Sequence, residues 1–270
     1  MRGFCPNSCL VLLILVTAAV PAGADPGAPG LPPAPTPTDH LPPAPGTSSL
    51  FAGSGLRQAA AGTGFFVAGD GALVTNHHVV TDCSRYSIET TDGTESAATL
   101  IDSDPTEDLA LLRVPGVQAA PVTFRRAVTW DGRRIAVIGY PSFGMQRIKP
   151  FLAEGALTGP SSPNGHRFQF EADVRHGNSG GPIFDGAGLV VGVVFAKIDT
   201  AAVYRDTGRK IQDVGFAISN ETTRAFLEKH GIEPAMAESA PPQNTDAVLA
   251  AAQHSLARVL CWRPDSKNSR

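Results

Sequence analysis

The sequence has few charged residues and almost no excess of either sign. Charged residues make up 17% of its 270 positions, and the formal net charge is -3. A chain this close to neutral lacks the basic surface that binds nucleic acid phosphates, so no nucleic acid partner is expected. Stretches with helical periodicity are also few, while glycine and proline are abundant. This composition favours an all-β fold with a buried core.

The sequence also has no long hydrophobic run. The apolar stretch at residues 10–20 is too short to span a bilayer comfortably. Arg2 precedes it, and the small residues Ala22, Gly23 and Ala24 follow it. This pattern is typical of a secretory signal peptide cleaved after Ala24 and predicts a secreted or periplasmic protein without stable membrane insertion. The alternative is an uncleaved segment that serves as an N-terminal membrane anchor.

Cysteine is scarce, with four residues in the whole chain. Cys5 and Cys9 fall within the predicted signal peptide, which leaves Cys83 and Cys261 in an oxidising compartment. These two either form one disulfide or remain two separate thiols. No spacing of cysteine and histidine suggests a metal site, and we expect no metal or organic cofactor.

Composition divides the chain into four segments. Residues 1–24 are the signal peptide, 25–54 a proline-rich disordered linker, 55–232 the folded body and 233–270 a C-terminal tail. In the body, short apolar runs alternate with Gly, Pro and Asp turns, which predicts strands, and GDG at residues 69–71 predicts a tight turn. One helix is expected from Ser219 or Asn220 to about His230. A second, amphipathic helix is expected in the tail from Thr245 or Asp246 to about Leu260.

Ser179 lies in the segment RHGNSGGP at residues 175–182. Glycines on both sides allow a tight bend from which the hydroxyl can project. The same bend can direct the N–H groups of Gly177 and Ser179 at one point, as an oxyanion hole requires. The other interpretation of this segment alone is a glycine-rich turn between strands.

A serine hydroxyl needs a base to become a nucleophile, and that base needs a carboxylate to orient it. The segment VTNHHVV at residues 74–80 offers two histidines at the end of a strand. Asp108 directly precedes the apolar run LALLRV, where a carboxylate can be shielded from water. Each of these two segments, taken alone, has an equally good explanation without catalysis: histidines at the end of a strand, or an aspartate in a turn or cap.

Together these segments resemble the chymotrypsin-fold serine proteases of the HtrA/Deg type. GTGFFV at residues 62–67, TNHHVV at 75–80, DPTEDLALLRV at 104–114, HGNSGGP at 176–182 and VGFAIS at 214–219 are similar to motifs of that family. The resemblance selects His78 over His77 and implies a triad of His78, Asp108 and Ser179. It implies two six-stranded antiparallel β-barrels, with His78 and Asp108 in the first and Ser179 in the second. Proteins or peptides are the implied substrates.

The family resemblance also indicates residues for a substrate pocket. Asp173, six positions before Ser179, takes the place that in trypsin-like relatives sits at the pocket floor, which suggests cleavage after Lys or Arg. HtrA-type relatives usually carry a small neutral residue there and prefer small aliphatic side chains. His176, Phe195, Ala196 and Gly215 are the other pocket candidates.

Other functions remain open at the level of sequence. A protein that kept the fold as a binding or chaperone-like module without turnover is the main alternative. An esterase is disfavoured, since the chain lacks G-x-S-x-G on a strand-to-helix turn. Too few residues follow Gly231 for the PDZ domain that the family usually carries, and the oligomeric state is left open.

Overall fold

The computed structural model describes residues 50–129, 132–141, 149–197, 205 and 213–265. The predicted signal peptide and the linker up to residue 49 lie outside these residues. Strands dominate the described part, and its helices are short. The strands form two closed six-stranded antiparallel rings, which confirms the predicted fold class.

The first barrel has the strand order β1-β14-β3-β4-β5-β2 and closes by pairing of β1 with β2. Its strands are β1 (Leu56–Phe66), β2 (Ala72–Thr75), β3 (Arg85–Thr90), β4 (Glu95–Asp104), β5 (Leu109–Arg113) and β14 (Leu256–Pro264). The tight turn predicted around Gly71 joins β1 to β2, and Gly71 adopts a φ of +84°. A side chain on Gly71 would meet the Val114 carbonyl at 2.2 Å, so glycine is needed there.

The predicted C-terminal helix is wrong in its second half. The helix covers Thr245–Ala252, and the chain then forms β14, which pairs with β1 at Gly62 and with β3 at Ile88 through the same residue, Val259. Most of β14 is buried. Apolar residues on both faces of a strand also satisfy a helical periodicity over a short run, so the pattern alone was ambiguous. This part of the chain forms a strand because the edges of β1 and β3 have backbone N–H and C=O groups that need hydrogen-bond partners.

The second barrel is a ring in the order β10-β7-β8-β9-β12-β11, closed by pairing of β10 with β11. Two further strands, β6 and β13, extend it beyond β11 in parallel pairing. The strands are β6 (Thr123–Arg125), β7 (Arg134–Gly139), β8 (Phe151–Pro160), β9 (Arg167–Ala172), β10 (Pro182–Asp185), β11 (Val190–Lys197), β12 (Val214–Ser219) and β13 (Ala235–Ala237). Fully buried Phe168 and Phe170 lie in its core.

Three helices lie wholly within the described residues: α1 (His77–Val80), α2 (Asn220–Glu228) and α3 (Thr245–Ala252). The hydroxyl of Ser219 accepts a hydrogen bond from the Thr222 N–H, as the predicted N-cap of α2 requires. None of the helices in the described part of the chain is long and apolar enough to cross a membrane.

A disulfide joins Cys83 to Cys261, with their Cα atoms 5.4 Å apart. Cys83 lies between α1 and β3, and Cys261 is fully buried in β14. The bond therefore ties the C-terminal strand to the first barrel, and it decides the question that the sequence left open.

Candidate active site

The imidazole of His78 and the carboxylate of Asp108 are in direct contact. His78 lies in α1, directly after β2, and Asp108 lies in the turn before β5. His78 Nδ1 is 2.8 Å from Asp108 Oδ2, and the backbone N–H of His78 donates to Asp108 Oδ1 at 3.0 Å. The Asp108 side chain is 17% exposed and the His78 side chain 48% exposed. The carboxylate is thus shielded from water while the imidazole stays accessible to a substrate.

The backbone of Asp108 adopts a conformation that few residues take. Its φ of +58° lies in the left-handed region, which costs an ordinary residue about 1–2 kcal/mol. The Asp108 carbonyl accepts hydrogen bonds from the Asn76 side chain at 2.8 Å and from the His77 N–H at 3.2 Å. These contacts stabilise the turn and hold the carboxylate against the imidazole of His78.

The loop before Ser179 is a hydrogen-bonded turn. The Asn178 N–H donates to the Arg175 carbonyl at 3.0 Å, and Gly177, the third residue, has a φ of +94°. A positive φ at this position is typical of a type II turn and favours glycine. Among the described residues, no group accepts a hydrogen bond from the N–H of Gly177 or of Ser179. Neither predicted oxyanion donor is therefore paired within the described part of the chain.

Strand β1 brings this loop next to the histidine. The Thr63 N–H donates to the Ser179 carbonyl at 2.9 Å. A Cβ placed on Gly62 would lie 2.7 Å from a methyl carbon of Val79 and 3.0 Å from the Ser179 carbonyl oxygen. Gly62 is thus wedged between the residue after His78 and Ser179. In the part of the chain that is described, His78 is hydrogen-bonded to Asp108, whereas the Ser179 hydroxyl has no hydrogen-bond partner. Catalytic hydrogen bonds often tighten only with substrate bound.

Asp173 lies at the surface, and its carboxylate is paired with Arg175. Arg175 Nε donates to Asp173 Oδ2 at 3.0 Å, and this hydrogen bond lowers the pKa of Asp173 below its usual value. The same guanidinium lies 5.3 Å from the centre of the Phe151 ring. His176 is exposed beside it. The Asp173 carboxylate therefore already has a cationic partner.

Phe195, Ala196 and Gly215 lie on neighbouring strands at one end of the β11–β12 pair. Ala196 pairs with Phe216, and the ring centre of Phe195 is 6.3 Å from that of Phe216. A Cβ on Gly215 would lie 2.3 Å from the ring of Phe170, so glycine is required for this packing. The N–H of Ala172 donates to the carbonyl of the residue before β12. Asp173 directly follows Ala172, so it lies on a segment adjacent to the strand that carries Gly215.

The contacts between the barrels that were not predicted from the sequence include two on the Asp108 side of the site. His166 Nδ1 lies 2.8 Å from Glu107 Oε1, and the Arg167 guanidinium donates to the Thr106 carbonyl at 2.7 Å. They join the start of β9 and the residue before it to the turn that carries Asp108. No local pattern identifies them, because the partners are 59 and 61 positions apart.

Comparison with known proteins relates this arrangement to a family. Residues 62–193 match the trypsin-like peptidase domain. The Sinorhizobium fredii protein y4bJ is 39% identical over 208 residues, with 73% of this chain and 32% of that protein covered. A Bartonella henselae protein named probable periplasmic serine endoprotease DegP-like is 32% identical over 203 residues, with 68% of this chain and 36% of that protein covered.

A solved structure, that of Rv3671c protease in an inactive form, has a TM-score of 0.52 at 27% identity and covers 65% of this chain and 87% of that one. The chain spans about a third of the length of the curated relatives it matches, 32% and 36% for the two above. The match to the domain includes His78, Asp108 and Ser179. The chain therefore contains a trypsin-like peptidase domain related to the DegP and HtrA serine endoproteases.

Proposed function

We propose that the chain is a secreted or periplasmic serine endopeptidase that hydrolyses peptide bonds through an acyl-enzyme. The observation that carries the proposal is the double contact of Asp108 with His78 beside a loop whose Gly177 and Ser179 N–H groups have no acceptor among the described residues. Proteins or peptides are the substrates in keeping with relatives named endoproteases. The periplasmic name of the Bartonella relative and the signal-peptide pattern support the location.

In the proposed mechanism, Asp108 remains ionised and holds the proton of His78 on Nδ1. The Nε2 atom of His78 is then free to take the proton of Ser179 as its hydroxyl attacks the peptide carbonyl. The N–H groups of Gly177 and Ser179 stabilise the negative charge that develops on the carbonyl oxygen, and losing one such donor typically costs about 3–4 kcal/mol. His78 next protonates the leaving amine, and water repeats the sequence on the acyl-enzyme. None of these steps needs a metal or an organic cofactor.

Labelling by a diphenyl phosphonate probe tests this function directly. The mature protein without residues 1–24 should be labelled and should cleave a fluorescent casein. The Ser179→Ala variant should do neither, and Ser161→Ala, a matched change in the β8–β9 loop, should leave both unchanged. Absence of labelling and of cleavage in the unaltered protein would favour the binding or chaperone-like alternative.

A further inference from the structure

We propose that Thr63 is a positioning residue for the oxyanion hole: its hydroxyl holds the Gly177 carbonyl from the opposite barrel. This inference rests on the proposed peptidase function and assigns a role to a residue of β1 that does not itself meet the reacting atoms. Thr63 is fully buried. It lies in β1 of the first barrel, whereas Gly177 belongs to the loop before β10 of the second.

Two polar groups of Thr63 contact the loop that carries Ser179. Its hydroxyl donates to the Gly177 carbonyl at 2.6 Å, and its N–H donates to the Ser179 carbonyl at 2.9 Å. The same hydroxyl accepts a hydrogen bond from the Tyr140 N–H at 2.9 Å. A threonine hydroxyl has one proton to donate, and the Tyr140 contact directs that proton to Gly177 by occupying a lone pair.

The surrounding glycines show how closely the loop fits Thr63. A Cβ on Gly139 would lie 2.8 Å from the Thr63 hydroxyl, and a Cβ on Gly180 would lie 2.3 Å from the Thr63 carbonyl. The Thr63 carbonyl also accepts a hydrogen bond from the Thr75 hydroxyl at 2.7 Å, which anchors β1 to β2. Thr63 therefore has little freedom to move. Because Thr63 belongs to β1, its contacts fix the position of the loop before Ser179 relative to the first barrel.

The hydroxyl contact bears on the direction of the Gly177 N–H. The peptide between Gly177 and Asn178 is held at both ends, because Thr63 binds its carbonyl and the Arg175 carbonyl accepts its N–H. The Gly177 N–H is joined to this planar peptide through the two rotatable backbone bonds of Gly177, so fixing the peptide narrows the directions that the N–H can take. Without the Thr63 hydroxyl, the carbonyl loses its partner and the turn can rotate. A displaced donor stabilises the transition state less while leaving ground-state binding largely intact.

The test compares Thr63→Val, which keeps the shape but lacks the hydroxyl, with Thr63→Ser, which keeps the hydroxyl. A fluorogenic peptide built on a casein cleavage site serves as substrate. We expect Thr63→Val to lower kcat by about 10- to 100-fold with little change in KM, and Thr63→Ser to stay within about threefold of the unaltered protein. The Ki of the matching peptide aldehyde, whose adduct places an oxyanion in the site, should rise in Thr63→Val by the same factor.

Thr223→Val is the matched control, because Thr223 is also fully buried and its hydroxyl donates to the carbonyl of Ser219, the N-cap of α2, rather than to the loop before Ser179. It should keep kcat even if its melting temperature falls as far as that of Thr63→Val. If Thr63→Val does not fold, Thr63→Ser and Thr63→Ala make the same comparison, since both lack the γ-methyl and only one has a hydroxyl. Unchanged kcat and aldehyde Ki in Thr63→Val or Thr63→Ala would overturn the proposal, as would an equal loss in Thr63→Ser.

A nuclear magnetic resonance measurement separates this proposal from the proposed function. The amide signals of Gly177 and Asn178 should shift in Thr63→Val and not in Thr63→Ser, whether or not the protein cleaves peptide. If the unaltered protein neither cleaves nor is labelled by the phosphonate, the proposed function fails, and shifts confined to Thr63→Val still support the positioning role. Identical Gly177 and Asn178 signals in all three proteins would overturn that role.

Discussion

Asp108 contacts His78 through both of its carboxylate oxygens, one bound to the ring nitrogen Nδ1 and one to the backbone N–H. The two bonds orient the imidazole and the one-turn helix that carries it at the same time. A single carboxylate therefore sets both the tautomer and the position of the proposed base.

Replacing Asp108 with asparagine is expected to abolish most of the activity without unfolding the protein. The amide keeps the size of the carboxylate but offers a donor to Nδ1, which favours the wrong tautomer of His78. In the proposed peptidase, kcat should fall by about 10⁴-fold at neutral pH, measured with the fluorogenic peptide.

Asp102→Asn is the control for this change. Asp102 lies on the neighbouring strand β4 and pairs with His230 at 3.0 Å, and it does not contact His78. Its kcat should remain within about twofold of the unaltered protein, as is usual for surface substitutions. Retention of most activity in Asp108→Asn would contradict the assigned role of Asp108.

The disulfide between Cys83 and Cys261 is expected to stabilise the first barrel. It joins β14 to residues 178 positions earlier in the chain, and such cross-links typically contribute about 2–4 kcal/mol to the free energy of unfolding. The Cys83→Ala/Cys261→Ala variant should unfold at a lower guanidinium concentration than the oxidised protein. A reducing agent should lower the midpoint of the unaltered protein and leave that of the variant unchanged. Coincident midpoints for all four samples would contradict this expectation.

The phenol of Tyr140 is expected to make stability decrease at alkaline pH. Tyr140 is buried, and this burial raises its pKa, an effect partly offset by its hydrogen bond with Thr91. The folded protein then keeps the phenol proton to a higher pH than the unfolded chain does. Stability is fully present below the unfolded pKa of about 10 and is lost as the pH rises toward the higher folded value.

Tyr140→Phe should therefore flatten the dependence of the unfolding free energy on pH above about 10, measured by denaturant titration. Tyr86→Phe is a comparison variant for the same denaturant titrations, because burial also raises the pKa of Tyr86. If Tyr140→Phe has the same alkaline slope as the unaltered protein, the raised pKa of Tyr140 is not expressed in stability.

Arg175 is expected to oppose cleavage after basic residues. If Asp173 lies in the substrate pocket, its carboxylate is already bound to Arg175, so a Lys or Arg substrate side chain must displace that partner. Arg175→Ala should raise the ratio of kcat/KM for peptides with Arg before the scissile bond to that for peptides with Ala there. The same ratio should stay low in Asp173→Asn/Arg175→Ala. No change of the ratio in Arg175→Ala would remove Asp173 from the specificity pocket.

The motifs around the proposed triad could be read from sequence because each is local. Gly177 precedes Ser179 in a turn that needs a positive φ, and Asp108 directly precedes a buried strand. Such requirements are met by neighbours along the chain, so the residue types and their order predict them. The all-β class follows for the same reason, from short apolar runs separated by turn residues.

Contacts between distant segments were decided only by the tertiary structure. Val259 was expected in a helix and lies in a strand, because β1 and β3 leave edges whose backbone groups require a partner. The bridge from Thr63 to Gly177 required knowledge of how the barrels face each other. The sequence by itself determined which side chains and turns are available for chemistry. Closure of the two barrels determined which of these side chains meet. The hydrogen bonding and burial of distant strands are satisfied together, so no single segment of the sequence indicates them.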